Sequence, residues 1–182
     1  MDIRPETQIQ SVIKAMIDVV LPAVDAENKM AQEQARLIVG TLQLVAKRLP
    51  LAFLYDCDEL DRYVKHAEDL ITETEDHIDG TLRTELTSLA ALGRNLLDRA
   101  GTAPTEIEAA IFELRTAIGL LIQDANRSAP AGVKEAVRKS VLEMSKLELE
   151  RELALVADMG FETDPAKRPE PIEQQLRQRR GR

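Results

Sequence analysis

The sequence predicts an all-α fold, an up-and-down bundle of about five helices, on three observations. Apolar residues return at spacings of three and four through five successive segments. Aromatic residues make up only 3% of the chain and Trp is absent, so a core has to be built from Leu, Ile, Val, Ala and Met, which suits helix-on-helix packing. Gly and Pro, eight each, fall mostly between the periodic segments or near the C-terminus, where they punctuate.

The first segment opens at Pro5, a residue tolerated in a first helical turn. Ile9, Ile13, Met16, Val20, Val24, Ala31, Ala35, Ile38, Leu42 and Val45 keep one helical phase, which predicts a single long helix to about Arg48, kinked near Pro22. Proline removes a backbone donor and crowds the carbonyl four residues back, here Asp18. Such a bend either curves the helix around a small bundle or opens a pocket beside it.

Leu49-Pro50 restarts the chain, and a second helix is expected from about Leu51 to Ile78, with Leu54, Cys57, Leu60, Val64, Ala67 and Ile71 on one stripe and Asp79-Gly80 as its stop. A third carries Leu82, Leu86, Leu89, Leu96 and Ala100 and stops at Gly101. Thr105 with Glu108 reads as the capping box of a fourth, lined by Ile107, Ile111, Leu114, Ile118, Leu121 and Ala125. SAPAG at 128–132 breaks the pattern before a fifth helix from Val133 to Met159. The expected division is a helical bundle over 1–160 and a flexible, charged tail over 161–182, whose prolines and few apolar side chains give it no core of its own.

The fifth helix has two apolar sides. Val137, Val141, Met144, Leu147 and Leu155 form one; Leu142, Leu149, Leu153 and Val156 form the other. A helix covering one bundle keeps a polar side. Two apolar sides imply two neighbours, either both within the chain or one in a second subunit, and a homodimer through this helix is the expected partner state.

Charge narrows the functions. Residues 56–79 carry ten acids against Arg62 and Lys65, which equals the −8 of the whole chain. A phosphate backbone is repelled by such a segment, so no nucleic-acid partner is expected for the folded body. No unbroken run of about 18 apolar residues occurs, and MDIRPETQIQ lacks the basic-then-apolar pattern of a signal peptide, so neither a membrane span nor a leader is expected. Cys57 is the lone cysteine, which excludes an intrachain disulfide and favours a cytoplasmic location.

The stretch VVLPAVDAENKMAQEQARLIVGTLQLVAKRL, followed later by LAALGRNLLDRA and ELRTAIGLLIQDANRS, resembles a family of small bacterial all-helical proteins of unknown function. The resemblance spans roughly residues 5–128 and departs at Asn126-Arg127-Ser128, where the family's closing element has a proline and an aromatic residue. Members are encoded near phosphotransferase-like and acyl-CoA dehydrogenase-like enzymes. The resemblance implies an accessory role beside such enzymes and supplies no catalytic residue.

One constellation invites a chemical reading. His66, Asp69, Glu73 and His77 are spaced three and four apart, so a helix puts them on one face, and imidazole with carboxylate suits Zn, Fe or Mn. Di-iron bundles place a Glu three residues before the His. Tyr63 and Thr74 hold those positions here, so an acidic solvated face is the competing reading. Cys57 lies between acids, which disfavour the thiolate, and on the apolar stripe, as a core thiol would. Arg94, Arg99, Arg115 and Arg127 could hold an anionic ligand, but arginines at such spacing are more often solvated or paired with acids of the second helix, and no site is named from them. Gly-rich phosphate loops, nucleophile elbows and paired-cysteine motifs are missing from the sequence. No catalytic residue, metal ligand or cofactor is assigned. The expected function is a non-catalytic oligomeric interaction or accessory protein; the alternatives are a small-molecule-binding sensor bundle and, behind it, a metal-dependent enzyme using the histidine face.

Overall fold

The computed structural model describes residues 3–74, 77–157 and 164–180, the last four of them by backbone alone. The described residues form helices and turns, with no strand among them. The chain divides into two compact units, residues 1–52 and 53–182, where the sequence suggested one bundle over 1–160.

The first unit is a helical hairpin. Helix α1 (Pro5–Ala15) runs into a π-helical turn (Met16–Val20) and one last turn, α2 (Leu21–Ala23); after a bend comes α3 (Lys29–Arg48). The expected single kinked helix is therefore corrected. Within the π turn the Leu21 N–H donates to the Met16 carbonyl, five residues back. That widening draws the backbone away from the Pro22 ring, which an α-helical turn would press against the Asp18 carbonyl. Two residues later the helix ends, with Val24 in an extended conformation.

DAEN at 25–28 then turns the chain by side-chain chemistry. The Glu27 N–H donates to Asp25 Oδ1 at 3.0 Å, and the Ala31 N–H donates to Asn28 Oδ1 at 3.0 Å, which makes Asn28 the N-cap of α3. The apolar phase across Pro22 is the phase of two helices packed on each other. Ile13, Ala35 and Val39 are the apolar side chains this unit buries.

A 3-10 turn (Leu49–Leu51) leads to α4 (Ala52–Thr74). Within Lys29–Thr74 an 18-residue window reaches a mean hydropathy of 1.5, apolar and long enough by those measures to cross a membrane. Counting unbroken apolar runs missed it, because Gly40, Thr41, Gln43, Lys47 and Arg48 interrupt the run while the Leu, Ile and Val residues around them keep the mean high.

In the second unit α4 is followed by α5 (Gly80–Asp98), α6 (Pro104–Ser128) and α7 (Ala131–Val156), with a 3-10 turn (Pro165–Lys167) and α8 (Ile172–Arg180) closing it. Residues 172–180 were expected in a flexible tail; they form a helix that packs on α7 and buries Ile172 and Leu176. Four apolar lines make the core. Leu60, Val64, Ala67 and Leu70 of α4 meet Leu86, Ala90 and Leu96 of α5, the Ile107-to-Ala125 stripe of α6, and Val137 and Met144 of α7.

At Gly93 helix α4 packs tightly on α5: a methyl group there would sit 2.5 Å from Val64 Cγ2. Helix α5 ends as predicted before Gly101, which takes φ +78°, a left-handed value that suits glycine.

Two caps differ from expectation. Asp79 does not end the preceding helix; its Oδ1 accepts from the Thr81 and Leu82 N–H groups (2.8 and 3.2 Å) and so opens α5. The start of α6 is held by Glu106, which accepts from the Ala103 N–H at 2.9 Å, and not by Thr105 with Glu108. The expected ends of the second and fifth helices reach residues 75–76 and 158–159, which lie outside the described residues.

Candidate functional site

The histidine face does not assemble. His66 is buried and shares a 3.2 Å hydrogen bond between its Nδ1 and Ser140 Oγ on α7, so its side chain belongs to the α4–α7 contact and not to a solvated face. Asp69 is exposed on the same helix, and Glu73 is half-buried. His77 lies beyond the end of α4 and is exposed. Burial pushes the His66 imidazole below its ordinary value, with Asp69 and Glu148 pulling it back, so it sits neutral in the fold at neutral pH. Burial pushes the Glu73 carboxyl up, and Asp69 and Glu143 add to that. Among the described residues no group of three or more His, Cys, Asp or Glu side chains is arranged to hold a metal ion.

A different polar constellation lies along the same helix. Asp58 and Arg62, one turn apart on α4, pair through Oδ2 and Nε at 3.2 Å, and Arg151 of α7 pairs with the same Asp58 oxygen. All three side chains are buried, and the Arg151 guanidinium lies 5.5 Å from the centre of the Tyr55 ring. One turn along, the Tyr63 hydroxyl donates to Glu148 of α7, while Arg115 of α6 lies over the Tyr63 ring and pairs with Glu59 at 2.7 Å. The Tyr63 phenol is pushed up to about 12, first by burial and then by its bond to Glu148. Burial likewise raises the Glu59 carboxyl, against the pull of Arg115 and Arg62.

Chemically this seam is closed. Its acids face arginines, its phenol stays protonated, and its imidazole stays neutral. It sets the register of α7 on α4 by pairs that a slip of one turn would break. Arg151, Ser140 and Glu148 were not singled out from the sequence; the recurrence of Ser140 and Arg151 in phase with Val137, Met144 and Ala154 was the available signal.

Three of the four arginines considered for an anionic ligand pair within the chain. Arg94 forks onto Glu68 (2.8 and 3.2 Å) and reaches Asp61 at 2.8 Å, and Arg99 pairs with Glu106 at 2.6 Å. With Arg115 on Glu59, two of the four pair with acids of the α4 helix, as one of the sequence readings had it. Cys57 is half-buried and packs against the core, in line with a core thiol.

The outer side of α7 is different. Leu142, Leu149 and Leu153, seven and four residues apart, remain 59%, 55% and 47% exposed. They form one stripe opposite the buried line of Val137, Ser140, Met144, Arg151 and Ala154. At its N-terminal end Leu142 borders an open groove between α6 and α7, lined by Ile122, Val137 and Val141 with Lys134 and Arg138 at the rim. Val156, placed on this side by its spacing, is half-buried. Of the side read as Val137, Val141, Met144, Leu147 and Leu155, Val137 and Met144 are buried, Val141 and Leu155 half-buried and Leu147 43% exposed, whereas the three leucines of the other side are all uncovered.

Comparison of the chain with family models, curated proteins and solved structures gives no match.

Proposed function

We propose that this chain is a non-catalytic helical interaction protein that acts as a homodimer through the outer side of α7. The observation that carries the reading is the exposed stripe Leu142, Leu149 and Leu153 on a helix whose other side is already buried. An isologous contact asks for a surface that complements itself. Residues 131–156 carry five acids and five bases, so two copies of α7 meet without net repulsion although the chain as a whole is at −8.

Covering the exposed half of a leucine is worth about 1 kcal/mol, so the six in a dimer give roughly 6 kcal/mol. Association itself costs on the order of 4–15 kcal/mol. The leucines alone therefore do not overcome that cost, and the neighbouring groove has to supply the larger part of a micromolar affinity, about −8 kcal/mol.

The accessory role implied by the family resemblance fits this picture, since the paired groups of the seam leave nothing poised to react. Sedimentation equilibrium of the wild type and of L149E/L153E tests it. The double variant should keep its helical circular dichroism and lose one association step. An unchanged mass, or loss of the fold, removes α7 as the interface.

A further inference from the structure

We propose that residues 5–52 are a second self-association unit, in which one face of the hairpin docks on the same face of a second copy to close a four-helix bundle. Helical spacing defines the face. Val12, Met16 and Val19 stand at i, i+4 and i+7 along α1 and its π turn, and Ile38, Leu42 and Val45 repeat that spacing along α3. Each set flanks the buried line, Ile13 on α1 and Ala35 with Val39 on α3. Because a short turn makes the two helices antiparallel, both sets fall on the same side of the hairpin. Val12, Val19, Ile38 and Val45 are exposed, while Met16 and Leu42 are half-buried.

Three observations favour a second copy as the occupant. Two helices that bury only Ile13, Ala35 and Val39 have little core of their own, and a pair of such hairpins makes the up-and-down four-helix architecture that does have one. Val12, Val19, Ile38 and Val45 stand 49%, 66%, 48% and 43% exposed, an apolar face that pairing with the same face of a copy would cover. Charge agrees: residues 1–52 carry six acids and six bases, so the whole net charge of −8 lies in the rest of the chain. The hairpin can approach its own copy without the repulsion that opposes most of the second unit. A lipid surface is the competing occupant, given the apolar window that begins in α3. The seven-residue spacing of paired stripes favours a helical partner, because a lipid surface imposes no register.

The hairpin contact does not depend on the α7 contact, but the two together do predict a larger particle. Where the two contacts join different copies, the particle holds at least four chains; with either lost, two remain. Size exclusion with light scattering should give at least four times the 20.3 kDa chain for the wild type, twice the chain for I38E/V45E, twice for L149E/L153E, and a single chain when all four substitutions are combined. A wild-type mass retained by L149E/L153E but halved by I38E/V45E supports the hairpin and sinks the α7 reading.

Because I38E/V45E can melt the hairpin, a second measurement uses an intact one. In the L149E/L153E background, amide exchange of residues 5–48 should slow markedly between low- and high-micromolar protein. Exchange independent of concentration overturns the proposal. So does a monomer that co-sediments with phosphatidylcholine–phosphatidylglycerol vesicles and loses that binding in I38E/V45E.

Discussion

Asp58 on α4 and Arg151 on α7 form an ion pair with each side chain only 6% exposed, and Arg62 shares the same carboxylate from one turn away. A buried charge that loses its partner costs far more than the pair contributes. Asp58→Ala strands two guanidinium groups and should destabilise the fold by about 3–5 kcal/mol. Arg151→Met leaves Asp58 neutralised by Arg62 and should cost less than half as much. Urea titrations of the two variants decide this; equal losses would mean that Arg62 does not share the carboxylate in solution.

Gly93 is a packing residue. In an exposed helix Gly→Ala gains about 1 kcal/mol, but here the added methyl meets Val64 Cγ2 at 2.5 Å. Gly93→Ala should therefore destabilise by about 1–3 kcal/mol, the usual range for overpacking. Adding Val64→Ala should return part of the loss. Gly119→Ala, with nothing within 4 Å, serves as the control and should stabilise. Thermal melts showing a gain at both positions would refute the close approach of α4 and α5.

His66 should make stability depend on pH. Its folded pKa lies below the 6.5 of the unfolded chain because burial disfavours the charged ring. The unfolded state therefore takes up a proton that the folded state refuses. The stability this residue contributes is complete above about pH 6.5 and declines as the pH falls through that value toward the folded pKa. His66→Gln keeps a hydrogen-bonding side chain without the titration. The stability difference between wild type and H66Q should narrow from pH 7.5 to pH 5; a difference that stays constant contradicts a buried neutral imidazole.

Asn28 is expected to hold the hairpin turn. Its side chain accepts from the Ala31 N–H at 3.0 Å and is the only side-chain cap at the start of α3 among the described residues. Asn28→Ala should cost about 1 kcal/mol, as N-cap losses do. Amide exchange should quicken in the first turn of α3 and leave α5 and α6 unchanged. Faster exchange throughout the chain would instead place Asn28 in a global folding unit.

Periodicity and punctuation in the sequence determined the all-α class, the Ile107-to-Ala125 line of α6, the stop before Gly101, the break at 128–132 and the outer stripe of α7. These are local: a repeat near 3.6 residues and a glycine at positive φ need no knowledge of distant residues. Tertiary structure decided the rest. An apolar phase that continues across Pro22 looks the same for one bent helix and for two helices packed on each other; only the Asn28 cap and the packing of α1 on α3 separate them. Likewise Arg151, Ser140 and Glu148 are polar, and a sequence read alone assigns polar side chains to water. Arg151 and Ser140 are buried and Glu148 half-buried because Asp58, His66 and Tyr63 on another helix offset the cost of leaving water, and that compensation exists only once α4 and α7 are in place.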